Sequence, residues 1–329
     1  MAELLRVTGL KKHFPVTKGL LKREVARVKA VDGVDFVINE GETFGLVGES
    51  GCGKTTVGKV VLRLLDATEG EILYKGQDIT KLSKKEMRDL RQDLQIVFQD
   101  PYGSLNPRMT VHDIIAEPMK KHNICSGEAL EKRVVELLNR VGLSERELKK
   151  YPHEFSGGQR QRIGIARAMV MEPELVIADE PISALDVSVQ SQILNLFKEL
   201  QQELGIAYLF IAHGMPVVKY MSDRVGVMYL GKLVEIGGSE EIYLNHLHPY
   251  TEALLSSVPI PDPDLAKEKQ PIILQGDIPS PIAPPSGCRF RTRCPYAMDI
   301  CAKEEPCMVE VGENHSVACH RVNIEKKQQ

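Results

Sequence analysis

The sequence lacks any segment that could cross a membrane as a helix or direct secretion. A membrane-spanning helix needs about 18 or more apolar residues, and the longest candidate, residues 204–218, is interrupted by Gly205, His213 and Pro216. The N-terminus carries Glu3 and early lysines, where a secretory leader has a long apolar stretch. We therefore expect a cytosolic chain.

An excess of either charge is also absent. The 42 Lys and Arg residues are balanced by 45 Asp and Glu, which gives a net charge of -3. Nucleic-acid binding usually shows as a strong basic excess, so the charge does not favour it. The 329 residues are 43% hydrophobic and 26% charged, which excludes a disordered or collagen-like chain and predicts about two domains.

Apolar runs of strand length alternate with helical patterns over residues 1–240. The runs lie at residues 44–47, 94–98, 175–178 and 207–211. Such runs between helices predict a parallel sheet buried on both faces. Helical periodicity is clear at residues 130–141, where Gly142 supplies a stop signal, and again at residues 189–204. We interpret the mostly helical stretch at about residues 105–170 as an insertion into an α/β core.

The strongest motif is GESGCGKT at residues 48–55, which directly follows the apolar run 43–47 and precedes a helical pattern. It is the G-x-x-x-x-G-K-[ST] phosphate loop in its required context. Its glycines let backbone N–H groups turn towards phosphate oxygens, and the next helix adds its positive N-terminal end. Lys54 is predicted to contact the outer phosphates, and Thr55 to coordinate Mg²⁺. The residues predicted to bind nucleotide here are Gly48, Ser50, Gly51, Cys52, Gly53, Lys54, Thr55 and Thr56.

A second motif consists of two acids, Asp179 and Glu180, at the end of the apolar run 175–178. This position is the carboxyl edge of the sheet, where open α/β folds bind ligands. Asp179 is predicted to hold Mg²⁺, and Glu180 to accept a proton from the attacking water. Such a pair alone more often caps a helix, but the phosphate loop upstream favours the catalytic interpretation.

The third motif indicates a family. FSGGQRQR at residues 155–162 resembles the signature of ABC-type ATPases, and the resemblance covers about residues 4–258. It implies an α/β fold with a RecA-like phosphate-loop NTPase core, a helical insertion subdomain, an N-terminal antiparallel β region and a Cys-rich C-terminal tail. It also implies that Phe14 packs against the adenine of ATP.

The same resemblance assigns roles to residues outside the phosphate loop. Gln99, in the sequence VFQD, corresponds to the glutamine loop, which contacts nucleotide and Mg²⁺ and transmits motion to membrane subunits. His213 corresponds to the switch histidine and joins Glu180 as a catalytic residue. One position departs from the pattern, because Gly214 stands where related importers have an acid. A helix cap or loop geometry beside His213 is therefore expected to differ.

Members of this family pair head to tail, with two ATP molecules between the two ATPase subunits. ATP on one subunit's phosphate loop faces the signature of the other, so binding closes the dimer and hydrolysis reopens it. The resemblance therefore assigns a set of residues to the partner's ATP: Ser156, Gly157, Gly158, Gln159 and Asp186.

Three segments resemble the ATPases of oligopeptide and dipeptide importers: residues 99–108, 248–251 and 287–294. The predicted function is MgATP hydrolysis that drives import of di- or oligopeptides. Nickel and glutathione importers share the pattern, so nickel or another small solute is an alternative. A soluble ABC ATPase acting on nucleic acid or the ribosome is a further alternative, which the lack of a second cassette or long coiled-coil insertion disfavours.

The importer resemblance also implies partners and a location. The expected partners are a second ATPase subunit, either a paralogue or another copy of this chain, two transmembrane permease subunits and an extracytoplasmic solute-binding protein. The chain would then lie on the cytoplasmic face of the membrane as a peripheral subunit. No nucleic-acid partner is expected.

Residues 259–285 hold eight of the 19 prolines and are predicted to form an extended linker. We therefore divide the chain into a nucleotide-binding domain, residues 1–258, and a linker with a Cys-rich tail, residues 259–329. Because the linker separates tail and phosphate loop in sequence, we expect the tail to influence ATP binding little.

Five of the seven cysteines lie in this tail, without the close C-x2-4-C pair that is usual in zinc sites. Resemblance to importer tails implies a [4Fe–4S] cluster bound by four of them, Cys288, Cys294, Cys301 and Cys319. Cys307 is not expected to be a ligand. Zinc binding, or thiols or disulfides without metal, are the alternatives.

Overall fold

The computed structural model describes residues 2–19, 23–259 and 272–322. The chain divides into two compact units, each assembled from separate segments. The first unit contains residues 38–42 and 81–211, together with the first residues of the chain. The second unit contains residues 4–37 and 43–80, and the chain from residue 212 onward.

The described residues form strands at these positions: β1 (Glu3–Lys18), β2 (Arg23–Asn39), β3 (Thr43–Val47), β4 (Glu69–Tyr74), β5 (Gln77–Asp78), β6 (Leu94–Val97), β7 (Leu175–Asp179), β8 (Ala207–Ala212), β9 (Arg224–Tyr229), β10 (Lys232–Gly238), β11 (Val309–Gly312) and β12 (His315–Val317). They form α-helices at these positions: α1 (Lys54–Val61), α2 (Lys84–Leu90), α3 (Val111–His122), α4 (Gly127–Arg140), α5 (Gly157–Met169), α6 (Val187–Leu204), α7 (Met215–Met221), α8 (Ser239–Leu244), α9 (Pro249–Ser256) and α10 (Asp299–Lys303). Short 3₁₀ turns occur at Glu145–Glu147 and Pro152–Glu154.

The first unit contains the predicted parallel strands with helices between them. β6 pairs with β7 and β7 pairs with β8, both in parallel. All residues of β7 and β8 are buried, as expected for strands covered on both faces. Helices α3, α4 and α5 lie between β6 and β7 in sequence, which confirms the predicted helical insertion. The helix predicted over residues 130–141 is α4, and Gly142 beyond its end has a φ of +74°.

The second unit contains the predicted N-terminal antiparallel β region. Its strand order is β2-β1-β4-β5, with β1 antiparallel to β4. The second unit also holds β3, whose five residues TFGLV are all buried and which pairs in parallel with β9. This strand leads directly into the phosphate loop, as the sequence predicts.

The tail extends the β-structure of the second unit. β12 pairs with β10, with Ile236 opposite Ser316, and β11 pairs with β12. Residues 260–271 of the predicted linker lie outside the described residues, whereas residues 272–285 contain no strand or helix. The division at residue 258 stays a prediction. Across the described ranges, no helix is long and apolar enough to span a membrane.

Candidate active site

The phosphate loop, residues 48–53, connects β3 to α1 and depends on two glycines. Gly53 is the N-cap of α1 with a φ of +107°, and an added Cβ would lie 2.1 Å from the carbonyl oxygen of Ala30. A Cβ on Gly48 would lie equally close to the carbonyl oxygen of Met228. No side chain fits at either position, so the backbone approach that shapes the loop requires glycine.

The side chain of Lys54 is buried and points back into the loop. Its ammonium donates hydrogen bonds to the carbonyl oxygens of Gly48, at 2.7 Å, and Glu49, at 3.1 Å. Its Nζ also lies 3.4 Å from Nδ1 of His213. The structure thus brings together two residues that the sequence assigns to the same reaction.

The other predicted nucleotide-binding residues of the second unit lie on the loop, on α1 or on β1. Ser50 and Gly51 are exposed on the loop, and Thr55 and Thr56 lie in the first turn of α1. Cys52 is buried, and burial raises the pKa of its thiol. The thiol is therefore protonated at neutral pH and does not act as a thiolate nucleophile or ligand.

Phe14 lies on β1 and is half-buried. The ammonium of Lys12 is 5.1 Å from the centroid of its ring. The ring is therefore a partly exposed cation–π platform, and its role towards adenine stays a prediction.

Sequence reasoning missed two residues that hold the loop at Glu49. The backbone N–H of Glu49 donates to the hydroxyl of Tyr250 at 2.8 Å. Its carboxylate accepts two hydrogen bonds from Arg293, at 2.7 and 3.1 Å. Both residues lie in or beside the segments that resemble importer ATPases, residues 248–251 and 287–294, which is the signal that could have found them.

The contact between Arg293 and Glu49 joins the tail to the phosphate loop. The tail is far from the phosphate loop in sequence, but the guanidinium group of Arg293 contacts the carboxylate of Glu49 in the loop. Distance along the sequence therefore does not separate the tail from the phosphate loop in space, and the expectation that the tail influences ATP binding little stays a prediction.

In the first unit, Glu180 has a constrained backbone at the end of β7. Its φ is +48°, in the left-handed region that side chains other than glycine seldom adopt. Its N–H donates to the carbonyl of Ile211 at 3.0 Å, and its carbonyl accepts from the N–H of Ser183 at 3.2 Å. Such strain is characteristic of functional positions.

The carboxylate of Glu180 is buried and paired with a predicted site residue. Its Oε2 accepts a hydrogen bond from Nε2 of Gln99 at 2.7 Å. Because the amide donates through nitrogen, its oxygen can serve as a metal ligand. Asp179, the last residue of β7, is also buried. Gln99 and Glu180, both predicted site residues of the first unit, therefore lie together, and Asp179 is the residue before Glu180 in the chain.

The signature residues form the start of helix α5, where Ser156 and Gly157 are exposed. Ser156 is the N-cap, and its hydroxyl accepts from the N–H of Gln159, whose side chain accepts from the N–H of Ser156. A Cβ on Gly158 would lie 2.4 Å from the side chain of Val189, so this glycine permits close packing of α5 on α6. Asp186, the N-cap of α6, is exposed. Of the residues assigned to the partner's ATP, Ser156, Gly157 and Asp186 are thus exposed, whereas Gly158 is buried and Gln159 is half-buried.

Gly214 occupies the N-cap of α7 and supplies no side-chain acceptor to that helix. Pro216 lies in the first turn, where the missing N–H leaves no unmatched donor. The expected difference beside His213 is thus an uncapped helix start.

Comparison with known proteins identifies the family. The ABC transporter profile matches residues 31–183, and the oligopeptide/dipeptide transporter C-terminal region matches residues 234–301. The chain is 54% identical to the oligopeptide transport ATP-binding protein AppF of Bacillus subtilis, over 96% of this chain and 97% of that protein. The oligopeptide transport ATP-binding protein OppF of Escherichia coli is 51% identical, over 97% and 96% of the two chains. The chain belongs to the oligopeptide family of ABC transporter ATPases.

Solved structures of ABC cassettes support the same assignment. The cassette MJ0796, solved as a dimer in a post-hydrolysis state bound to ADP and Pi, has a TM-score of 0.64 at 28% identity, over 72% of this chain and 99% of that one. Clostridium perfringens cbiO1, part of the ABC transporter complex cbiONQ, has a TM-score of 0.63 at 30% identity, over 74% and 92%. The predicted phosphate-loop NTPase fold is confirmed, and the chain is an ATP hydrolase of the ABC-transporter type.

In this ABC ATPase, the four cysteines predicted as ligands line one cavity of the tail: Cys288, Cys294, Cys301 and Cys319. Burial is the main cause that raises the pKa of the Cys288 thiol to about 11, and the three neighbouring thiols raise it further. Cys307 is exposed and lines a different cavity. No disulfide joins any of the seven cysteines.

Within residues 2–19, 23–259 and 272–322, no group of three or more His, Cys, Asp or Glu side chains could hold a metal ion. The predicted Mg²⁺ ligands are Thr55 in the second unit and Gln99 and Asp179 in the first. The cluster and the zinc alternative therefore stay predictions.

Proposed function

We propose that the chain powers the import of di- or oligopeptides as the ATP-hydrolysing subunit of a membrane transporter. One observation carries the proposal. Proteins named as oligopeptide transport ATP-binding proteins are 51–57% identical to it over at least 95% of both chains. The substrate class follows from those relatives, and nickel or another small solute remains the alternative.

ATP would bind on the phosphate loop. Backbone N–H groups of the loop and the N-terminus of α1 attract phosphate oxygens. Lys54, whose ammonium already points into the loop, would exchange the carbonyl oxygens of Gly48 and Glu49 for phosphate oxygens. Phe14 would pack against adenine.

Hydrolysis would depend on Glu180 and His213. Glu180 would accept the proton of the attacking water, while Gln99 orients its carboxylate through the 2.7 Å hydrogen bond. His213, beside Lys54, would contact the terminal phosphate and respond to its loss. Mg²⁺ would neutralise phosphate charge when bound. Thr55, Gln99 and Asp179 fit it because hydroxyl, amide and carboxylate oxygens are the donors it prefers.

A second ATPase subunit would complete the site. Ser156 and the N–H groups of Gly157 and Gly158, at the start of α5, would donate to the γ-phosphate bound by the partner. Gln159 would hold Ser156 in place, and Asp186 would lie at the same interface. The second subunit is either a paralogue or another copy of this chain.

The tail thiols would hold a [4Fe–4S] cluster. Four thiols that line one cavity match the donor set of such a cluster, and the exclusion of Cys307 from that cavity supports the predicted set. Zinc is the alternative, since thiolates also bind it. Anaerobic purification followed by iron and zinc analysis distinguishes the two.

The working complex would contain two transmembrane permease subunits and receive solute from an extracytoplasmic binding protein. The chain would lie on the cytoplasmic face of the membrane, with residues 1–258 as the nucleotide-binding domain and 259–329 as linker and tail. Attachment to the membrane would be through the permease subunits.

Reconstitution of the chain with the permease and binding-protein products of neighbouring reading frames tests this function. Vesicles should take up a labelled oligopeptide when supplied with MgATP. They should fail with Glu180→Gln, whereas Glu199→Gln, on the exposed face of α6, should behave as wild type. Uptake of nickel but not peptide would reassign the solute, and no ATP-dependent uptake of any solute would contradict an importer.

A further inference from the structure

The phosphate loop contains a negative charge where an anion must bind. Glu49, its second residue, would place a carboxylate near the phosphates of ATP. The loop is short, so this charge acts on bound phosphates over a distance comparable to the Debye length of about 10 Å at 0.1 M salt. An uncompensated carboxylate here would oppose nucleotide binding.

Arg293 compensates this charge from the tail. Its side chain is 8% exposed and that of Glu49 is 26% exposed, and two parallel hydrogen bonds join them. Bidentate arginine–carboxylate pairs fix orientation as well as charge. The backbone of Glu49 is held as well: its N–H donates to the hydroxyl of Tyr250, and its carbonyl accepts from the ammonium of Lys54.

The segment that carries Arg293 is itself firmly anchored. Phe290 is buried and packs against the rings of Tyr229, Tyr250 and His248, with centroid distances of 5.2, 5.4 and 5.7 Å. Arg289, in the same segment as Arg293, pairs with Asp32 on β2. The guanidinium of Arg293 is therefore presented to the loop by a packed element.

A second route runs from the tail to the loop. Arg289 donates to the carbonyl of Leu230 at 2.5 Å. The next residue, Gly231, donates its N–H to the carbonyl of Cys52 at 2.9 Å. The tail thus supports the phosphate loop near both ends, at Glu49 and at Cys52.

We propose that Arg293 is a positioning residue for ATP binding: it compensates the charge of the Glu49 carboxylate and thereby keeps the phosphate loop receptive to nucleotide phosphates. The inference rests on the proposed role of the loop. It gives the tail a direct part in the ATPase cycle, because Cys294 of the thiol cavity follows Arg293 in the chain. Changes at that cavity would reach the phosphate loop through this arginine.

The full chain with a single substitution tests the proposal. Arg293→Ala should weaken equilibrium binding of a fluorescent ATP analogue by about tenfold, from repulsion between one carboxylate and several phosphate charges about 10 Å away. KM should rise in proportion while kcat at saturating ATP changes little. The deficit should shrink at high salt, since screening weakens the repulsion.

Removal of the Glu49 carboxylate is the decisive comparison. Glu49→Gln/Arg293→Ala should regain most of the lost affinity, because no charge remains to be neutralised, whereas damage to the tail fold would not be repaired. Arg293→Lys keeps the charge and should retain most of the affinity even if the alanine variant folds poorly. The matched control is Arg140→Ala, which removes an exposed guanidinium that pairs with Glu203 in the first unit, away from the thiol cavity.

Two results would overturn the proposal. One is wild-type affinity in Arg293→Ala, and the other is an equal deficit in Arg293→Ala and the double variant. The variant Lys54→Ala distinguishes a failure of the proposed role of Arg293 from a failure of the proposed role of the loop as the phosphate site. If Lys54→Ala binds ATP with wild-type affinity, the loop is not the phosphate site. If Lys54→Ala loses ATP binding while Arg293→Ala binds ATP with wild-type affinity, only the role of Arg293 is contradicted.

Discussion

Glu180→Gln should abolish turnover while preserving the fold and nucleotide binding. The substituted amide keeps an oxygen that can accept the 2.7 Å hydrogen bond from Gln99. It imposes no new backbone strain, because glutamate already tolerates the φ of +48°. The change replaces a charged acceptor with a neutral one, which should cost about 1 kcal/mol of stability.

The catalytic loss should be far larger than this structural effect. An amide cannot accept the proton of the attacking water, and a positioned general base contributes about 10²–10⁴ in rate. This loss corresponds to about 2.7–5.5 kcal/mol of activation free energy. Phosphate release at saturating MgATP measures it, and binding of a fluorescent analogue shows that the nucleotide site persists.

The same variant should accumulate as an ATP-bound dimer on size exclusion, because closure is no longer ended by hydrolysis. The control is Glu199→Gln, an exposed glutamate of α6, which should hydrolyse ATP at the wild-type rate. Near-wild-type phosphate release by Glu180→Gln would refute the assignment of the general base.

Three further changes follow from the structure. Gly53→Ala should abolish ATP binding and destabilise the chain by about 3 kcal/mol or more, because its Cβ would meet the backbone at 2.1 Å. Thermal unfolding should show a smaller loss in the control Gly51→Ala, which has positive φ but no neighbour within 4 Å. Cys294→Ser should lose bound iron and weaken ATP binding, whereas the control Cys307→Ser should retain both. Iron analysis and titration with a fluorescent ATP analogue measure the two effects. Iron retained in Cys294→Ser would contradict the ligand assignment. Gly214→Asp should raise the free energy of unfolding by about a few tenths of a kcal/mol, because it adds an N-cap acceptor to α7. Its Cβ would make only an ordinary contact, at 3.8 Å from Pro216. A lower melting temperature would show that the helix start needs glycine.

Local patterns predicted the core elements well. The run 175–178 became β7, and the periodic residues 189–204 became α6, because burial of an apolar face determines each element from neighbouring residues alone. The phosphate loop was equally predictable, since its glycines and Lys54 lie within one short segment. Assignment of Gln99 required the family resemblance, because it meets Glu180 across 81 residues of chain.

Contacts of the tail were not predictable in the same way. Arg293 and Glu49 are 244 residues apart, and nothing in the local pattern of either segment indicates the other. The proline content of the linker correctly argued against helix or strand within residues 272–285. It carried no information on where the chain goes next, and β12 in fact pairs with β10.

The shared catalytic site is tested most directly by mixing two inactive variants of the chain. Lys54→Ala disables the phosphate loop, and Ser156→Arg disables the signature without touching the loop of the same chain. In a head-to-tail dimer the mixture contains one intact site, built from the loop of one chain and the signature of the other. Where the two chains co-dimerise, phosphate release should therefore recover in the mixture although neither variant is active alone. Demonstrated co-dimerisation with no recovery would contradict a site shared between two subunits.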